Sequence, residues 1–271
     1  VKDHLLKLSA DIGDTGLRLN LVREYLQAHA LRSIQLAEGF AALAFQGGTA
    51  LRFLHGLRRF SEDLDFALER PDRGYDLPAL MKRVERDFVS AGYDVECTAR
   101  IQKTVHRGSV KFPGLLQECG LSDLRAQKLA LRVEVDSVPP RGATLETRLV
   151  TRPFPVMFLA HDLSSCMAGK VLAVLTRGHT KGRDIYDLGW YLTRPDHPVP
   201  NLTLLRNGLK QARWAGPVPD ETTWSDLLLT HLNDIDWSAA EADAAPFLED
   251  PADRILLHRD LIMPELEKRL I

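Results

Sequence analysis

The sequence has little cysteine, no long apolar run and almost no excess charge. Its three cysteines, Cys97, Cys119 and Cys166, are widely spaced and form no C-x-x-C pair. That argues against a disulfide framework or a structural zinc site and fits a reducing cytosol. No apolar stretch approaches the roughly 20 residues of a bilayer span, so no membrane helix is expected. The N-terminus, VKDHLLKLSADIGDTG, is charged and lacks the apolar core and small-residue cleavage site of a signal peptide. The expected compartment is the cytoplasm. A net charge of −2 makes no global demand for nucleic acid. Basic residues concentrate only locally, in GLRRF, TARIQKTVHRGSVK and LTRGHTKGRD. Repeats and low-complexity tracts are absent as well.

What is present is an ordinary globular composition, 45% hydrophobic and 27% charged over 271 residues, with room for a sizeable core. Apolar spacing predicts helices at 17–28 and about 31–38. AALAF reads as a short buried strand stopped by Gly47 and Gly48, and Thr49 as the cap of a helix through ALRFLHGL. DLDFAL alternates as a strand does. A helix over 76–91 stops at Gly92, and strands follow in DVECTARIQ, GSVKF, KLALRVEVDSV and TLETRLV. Beyond TRPFPVMFLA the pattern is helical: DLSSCMAGKVLAVLTR, RDIYDLGWYLTR, then 203–213, 223–235, 238–248 and 252–270. The fold class expected is α+β, with a mixed part over 1–158 and a helical part over 159–271.

Four short stretches carry chemistry. Gly47-Gly48 between a strand and a helix permits a sharp turn and close approach of backbone N–H groups to a ligand, and the helix dipole suits a phosphate there. The Walker A spacing is missing, so this is no P-loop. Asp63 and Asp65 project to one face of their strand while Leu64 and Phe66 face the core. Two adjacent carboxylates repel unless a cation neutralises them, and such oxygen ligands suit Mg²⁺. Alternation turns Glu62 away from them. Ser61 is either a turn residue or a hydroxyl near a transferred phosphate. In LALRVEVDSV, Arg132, Glu134 and Asp136 share a face, and Glu134 is the first choice for a third carboxylate, Asp136 the second. Lys170 and Arg177 share a helix face, and Arg183, Asp184 and Asp187 open the next helix. These residues either join two helices by salt bridges or place Lys170, with Arg177 or Arg183, on a triphosphate. His55, His106 and His179 receive no role.

In order, G-G-T-x-L, R-x-S-x-D-x-D-F, an E-x-D strand, and K-x-x-A-x-x-x-R with R-D-x-x-D-L resemble the AbiEii/AbiGii-type nucleotidyltransferase toxins, which include the MenT-type toxins. The resemblance runs from about residue 40 to 192. It implies a polymerase-β-like nucleotidyltransferase core with a mixed sheet, followed by a helical C-terminal region. By motif, Gly47, Gly48 and Thr49 hold the phosphates of a nucleoside triphosphate, and Asp63 and Asp65 bind Mg²⁺. Ser61 matches a family serine near catalysis and a possible phosphate acceptor. Lys170 matches a phosphate-contacting lysine, and Asp184 or Asp187 a required acid. The resemblance further implies transfer of a nucleotide to RNA, as MenT-type members do at the 3′ end of tRNA, and a cognate antitoxin. Two alternatives accompany it: nucleotidylation or phosphorylation of protein, and a non-catalytic nucleotide-binding module.

Overall fold

The computed structural model describes residues 1–269, so residue 270 of the expected last helix lies outside the described residues. Two helices lead the chain, α1 (Lys2–Ala10) and α2 (Thr15–Leu36). The N-terminal segment that reads from sequence only as charged is therefore mostly helix, anchored by the fully buried Leu5. Asp14 caps α2 by accepting from the Leu17 N–H at 2.6 Å. The two helices expected at 17–28 and 31–38 are one, because Ala28, His29, Ala30 and Leu31 are all buried and packing carries the helix across the join.

There follow β1 (Leu43–Gln46), α3 (Gly47–His55), β2 (Asp63–Leu68), α4 (Leu77–Ser90), β3 (Glu96–Arg100), β4 (Val105–Phe112), the short α5 (Leu115–Glu118), β5 (Leu129–Asp136), β6 (Leu145–Val150) and β7 (Val156–His161). The strands form one sheet in the order β3-β4-β5-β2-β1-β7-β6. It is mixed: β2 runs antiparallel to β1 but parallel to β5, and β1 runs parallel to β7. Leu64, Val110, Leu131 and Val133 share the buried face. On that side α4 lies against β4, with the Phe88 and Phe112 rings 4.9 Å apart. The opposite face of β2 and β5 is left for polar side chains.

The remaining helices are α6 (Leu163–Thr176), α7 (Gly182–Leu192), α8 (Leu202–Gln211), α9 (Trp224–Leu232), α10 (Trp237–Ala244) and α11 (Arg259–Glu267). Asp162 caps α6 through the Ser165 N–H at 2.8 Å, and α7, buried along nearly its whole length, is the hub of these helices. The helix expected at 252–270 is split, because residues 251–257 form a 3-10 turn and His258 is extended before α11 begins. Pro246 likewise ends the helix expected at 238–248, since it has no N–H to extend the ladder.

Fold class is thus α+β, in two compact units. The first comprises residues 1–54, 60–139 and 146–160, and carries the sheet; the second comprises 55–59, 140–145 and everything from His161. The short segment 55–59 joins the helical unit through an antiparallel bridge between Arg59 and Leu248.

Candidate active site

In the sheet unit, strand register brings the glycine turn and the acids together. β1 and β2 pair so that Gln46 faces Asp65, and the next residue, Gly47, starts α3. Gly47 has φ +77°, in the left-handed region, and a Cβ there would lie 2.5 Å from Asp65 Oδ2. Only glycine fits this position. The first turn of α3 has N–H groups without helical partners, and its dipole points its positive end towards the same place.

Thr49 differs from the expectation of an N-cap. It is fully buried inside the first turn, and its hydroxyl donates to the Asp63 carbonyl. Its side chain therefore fixes the start of β2 against α3. Ser61, just before β2, is half-buried, and its carbonyl accepts from Gln27 Nε2 at 3.0 Å. Glu62 is paired with Arg23 at 3.5 Å.

The parallel pairing of β2 with β5 sets Asp63 opposite Arg132, Asp65 opposite Glu134 and Ala67 opposite Asp136. Asp63, Asp65 and Glu134 thus share the polar face, Asp65 and Glu134 on neighbouring strands about 4.8 Å apart. Asp136 lies a further step along, where it accepts from the Val138 N–H at 3.0 Å. Burial pushes the Asp136 carboxyl pKa up, the Val138 hydrogen bond opposes this, and the charge of Glu69 adds to it.

Two arginines on this face are candidates that motif reading leaves out. Arg132 grips both oxygens of Asp63, at 2.6 and 3.2 Å. Arg107 of β4, in register with Glu134, donates to it at 3.1 Å. Alternation places Arg132 on the face of Glu134 from sequence alone, but its Asp63 partner is set by register between distant strands. Among the described residues, no three acidic, histidine or cysteine side chains close into a metal cage. The donors nevertheless fit a hard divalent cation, because all are carboxylates on one polar face.

The helical unit gathers the other predicted residues. Lys170 of α6 is bracketed by two acids of α7, Asp187 at 2.7 Å and Asp184 at 3.0 Å. Arg177, seven residues along, also binds Asp184. Arg59 completes the network with a two-pronged pair to Asp187, at 2.6 and 2.5 Å, both side chains excluded from water. Burial opposes the charge on Asp184, but Lys170 and Arg177 outweigh it and hold its carboxyl below the usual range. Burial likewise works against the Lys170 ammonium, yet Asp187 and Asp184 raise its pKa. The Arg183 guanidinium stacks 4.3 Å from the Phe247 ring centre.

Comparison with known families matches residues 29–259 to the family described as nucleotidyl transferase AbiEii toxin, type IV TA system. Among curated proteins, none matches. Among solved structures, JHP933 from Helicobacter pylori is similar with a TM-score of 0.53 and 18% identity, over 92% of this chain and 94% of that one. MenT4, a nucleotidyltransferase toxin from Mycobacterium tuberculosis, is similar with a TM-score of 0.53 and 16% identity, over 99% of each chain. At such identities the two structures speak for the fold. The family match spans most of the chain and includes the glycine turn, the acid face and the buried ion network. This chain therefore belongs to the AbiEii family of nucleotidyltransferase toxins and is a nucleotidyl-transfer enzyme.

Proposed function

We propose that the polar face of β2 and β5 is the catalytic centre of a Mg²⁺-dependent enzyme that transfers a nucleoside monophosphate from a triphosphate to RNA, with tRNA as the acceptor. The observation that carries this reading is the register that seats Asp65 against Gly47 with Glu134 beside it. Gly47, Gly48 and the first N–H groups of α3 receive the phosphates. Asp63, Asp65 and Glu134 hold the metal, and members of this family generally use a divalent ion. A bound ion there would neutralise the carboxylates and the phosphate charge they face.

Arg132 and Arg107 balance two of the acids, Asp63 and Glu134. We assign them to the phosphate oxygens once the carboxylates take a cation, because guanidinium forks suit both partners. The acceptor hydroxyl displaces pyrophosphate at the α-phosphorus in line, and its proton passes to solvent. Ser61, at the entry to β2, is proposed to lie near the transferred phosphate. Lys170, Arg177 and Arg183 are the cations proposed for the triphosphate in the helical unit. Asp184 and Asp187 hold the first two in place and are the acids proposed as essential with them. The chain is proposed to act in the cytoplasm as a toxin restrained by a cognate antitoxin, and no helix of the described residues is long and apolar enough to cross a membrane.

The acceptor is tested by incubation with total RNA and each α-labelled triphosphate. Label in RNA of tRNA length is expected. Label that follows protein instead would transfer the reading to protein nucleotidylation, and γ-label in protein to a kinase. Mg²⁺-dependent triphosphate binding with no labelled acceptor of any kind would leave only a binding module.

A further inference from the structure

The helical unit contains an open cavity of about 450 Å³ between the end of α6 and helix α9. That lies within the roughly 300–1,000 Å³ of small-molecule sites. Trp214, Leu227 and Ile235 supply its apolar lining, and Arg177, His179 and His231 its basic lining. The last three also line a small space of about 10 Å³ that Asp184 lines too, so the cavity adjoins the buried ion network of the same unit.

The indole is held in place. Trp214 Nε1 donates to the Pro217 carbonyl at 3.2 Å. The backbone at Gly216 passes so close that a Cβ there would lie 2.5 Å from the ring. A half-buried, immobilised indole beside open space is a stacking platform, and every nucleobase has a π-face to offer it. Neither the exposed His179 nor the half-buried His231 has a side-chain hydrogen bond among the described residues. With Arg177, they are donors suited to a phosphate. Asp234 at the rim supplies an acceptor for sugar hydroxyls, which a site for bare polyanion would not need.

We infer that this cavity binds one nucleotide unit, its base on Trp214 and its phosphate toward Arg177, His179 and His231. That unit comes either from the free end of an RNA strand or from the nucleoside triphosphate. The inference rests on the transferase reading only for the choice of these two probes. None of the residues in the cavity belongs to the acid face of the sheet.

The test is binding of each probe alone, so that no transfer takes place. A 5′-fluorescein single-stranded RNA ten-mer is titrated by anisotropy at fixed salt, and each of the four nucleoside triphosphates by calorimetry. Trp214→Ala removes the platform; Thr230→Trp fills the cavity from an exposed position of α9 and leaves the platform intact. Each substitution is expected to weaken one probe about tenfold, as loss of one stacked base does. Trp214→Phe should retain binding, and each variant should show a cooperative melt above the assay temperature, so that a loss of affinity is not a loss of folding. A loss confined to RNA assigns the cavity to the acceptor end; a loss confined to triphosphate assigns it to the donor. Dissociation constants unchanged for both probes in both variants would overturn the inference, whatever the transfer assay shows.

Discussion

Gly47 and Asp65 are a single steric unit, and that unit links the glycine turn to the acids. A methyl group at Gly47 would meet the Asp65 carboxylate, and the backbone there is left-handed. Gly47→Ala should therefore lower stability by about 1–3 kcal/mol and abolish transfer, measured by urea denaturation and the labelling assay. Wild-type stability in this variant would contradict the geometry. Arg132 is the second residue to test. It occupies both oxygens of Asp63, so an Mg²⁺ ion held there as proposed would compete with it. In Arg132→Ala, millimolar Mg²⁺ should raise the melting temperature more than in wild-type protein. An equal or smaller rise would show that Arg132 does not compete with the cation.

Among the elements, β2 and the α6–α7 pair differ in how far sequence reveals them. β2 is legible to the residue because alternation in DLDFAL reports both faces at once. The pairing of Lys170 and Arg177 with Asp184 was likewise within reach, since helical spacing brings the first two to one side. Arg59 could not be found this way. It lies 128 positions from Asp187, and an arginine in GLRRF reads as a solvated surface residue until the fold buries it. Thr49 is hard to place for a related reason: a threonine after glycines looks like a cap, and only the position of Asp63 shows where its hydroxyl goes. The buried network gives a prediction at this scale. Asp187→Ala removes the two-pronged partner of the buried Arg59 and one of the two acids that bracket Lys170, and should cost about 3–5 kcal/mol by chemical denaturation. If the variant instead unfolds like wild type while losing transfer, Asp187 acts in the chemistry and not in holding the helices.

For the whole molecule, pH is the simplest probe. His29 of α2 stacks on Phe88 at 4.4 Å and meets Phe154 edge-on at 5.6 Å. Burial, reinforced by Arg32 and opposed by Asp87, lowers its pKa to about 4 from the ordinary 6.5. The unfolded chain thus takes up a proton below pH 6.5 that the folded chain refuses until about pH 4. Stability should fall as pH drops through that window and gain no further loss from His29 below it. His29→Gln should flatten this part of the profile, read by denaturant midpoints from pH 7 to 4; an unchanged slope would place the titration elsewhere. The α+β class and the order of most elements were legible from periodicity and turn residues. The register between β2 and β5, on which the acid face depends, was not, because parallel pairing joins segments with some seventy residues between them and leaves no local signal. The central claim, that Asp63, Asp65 and Glu134 form the catalytic face, is tested most directly by transfer of α-labelled nucleotide to total RNA by wild-type, Asp65→Asn and Asp136→Asn proteins in Mg²⁺. The account predicts labelled RNA with wild-type and Asp136→Asn and none with Asp65→Asn; equal labelling by Asp65→Asn and wild-type would contradict it.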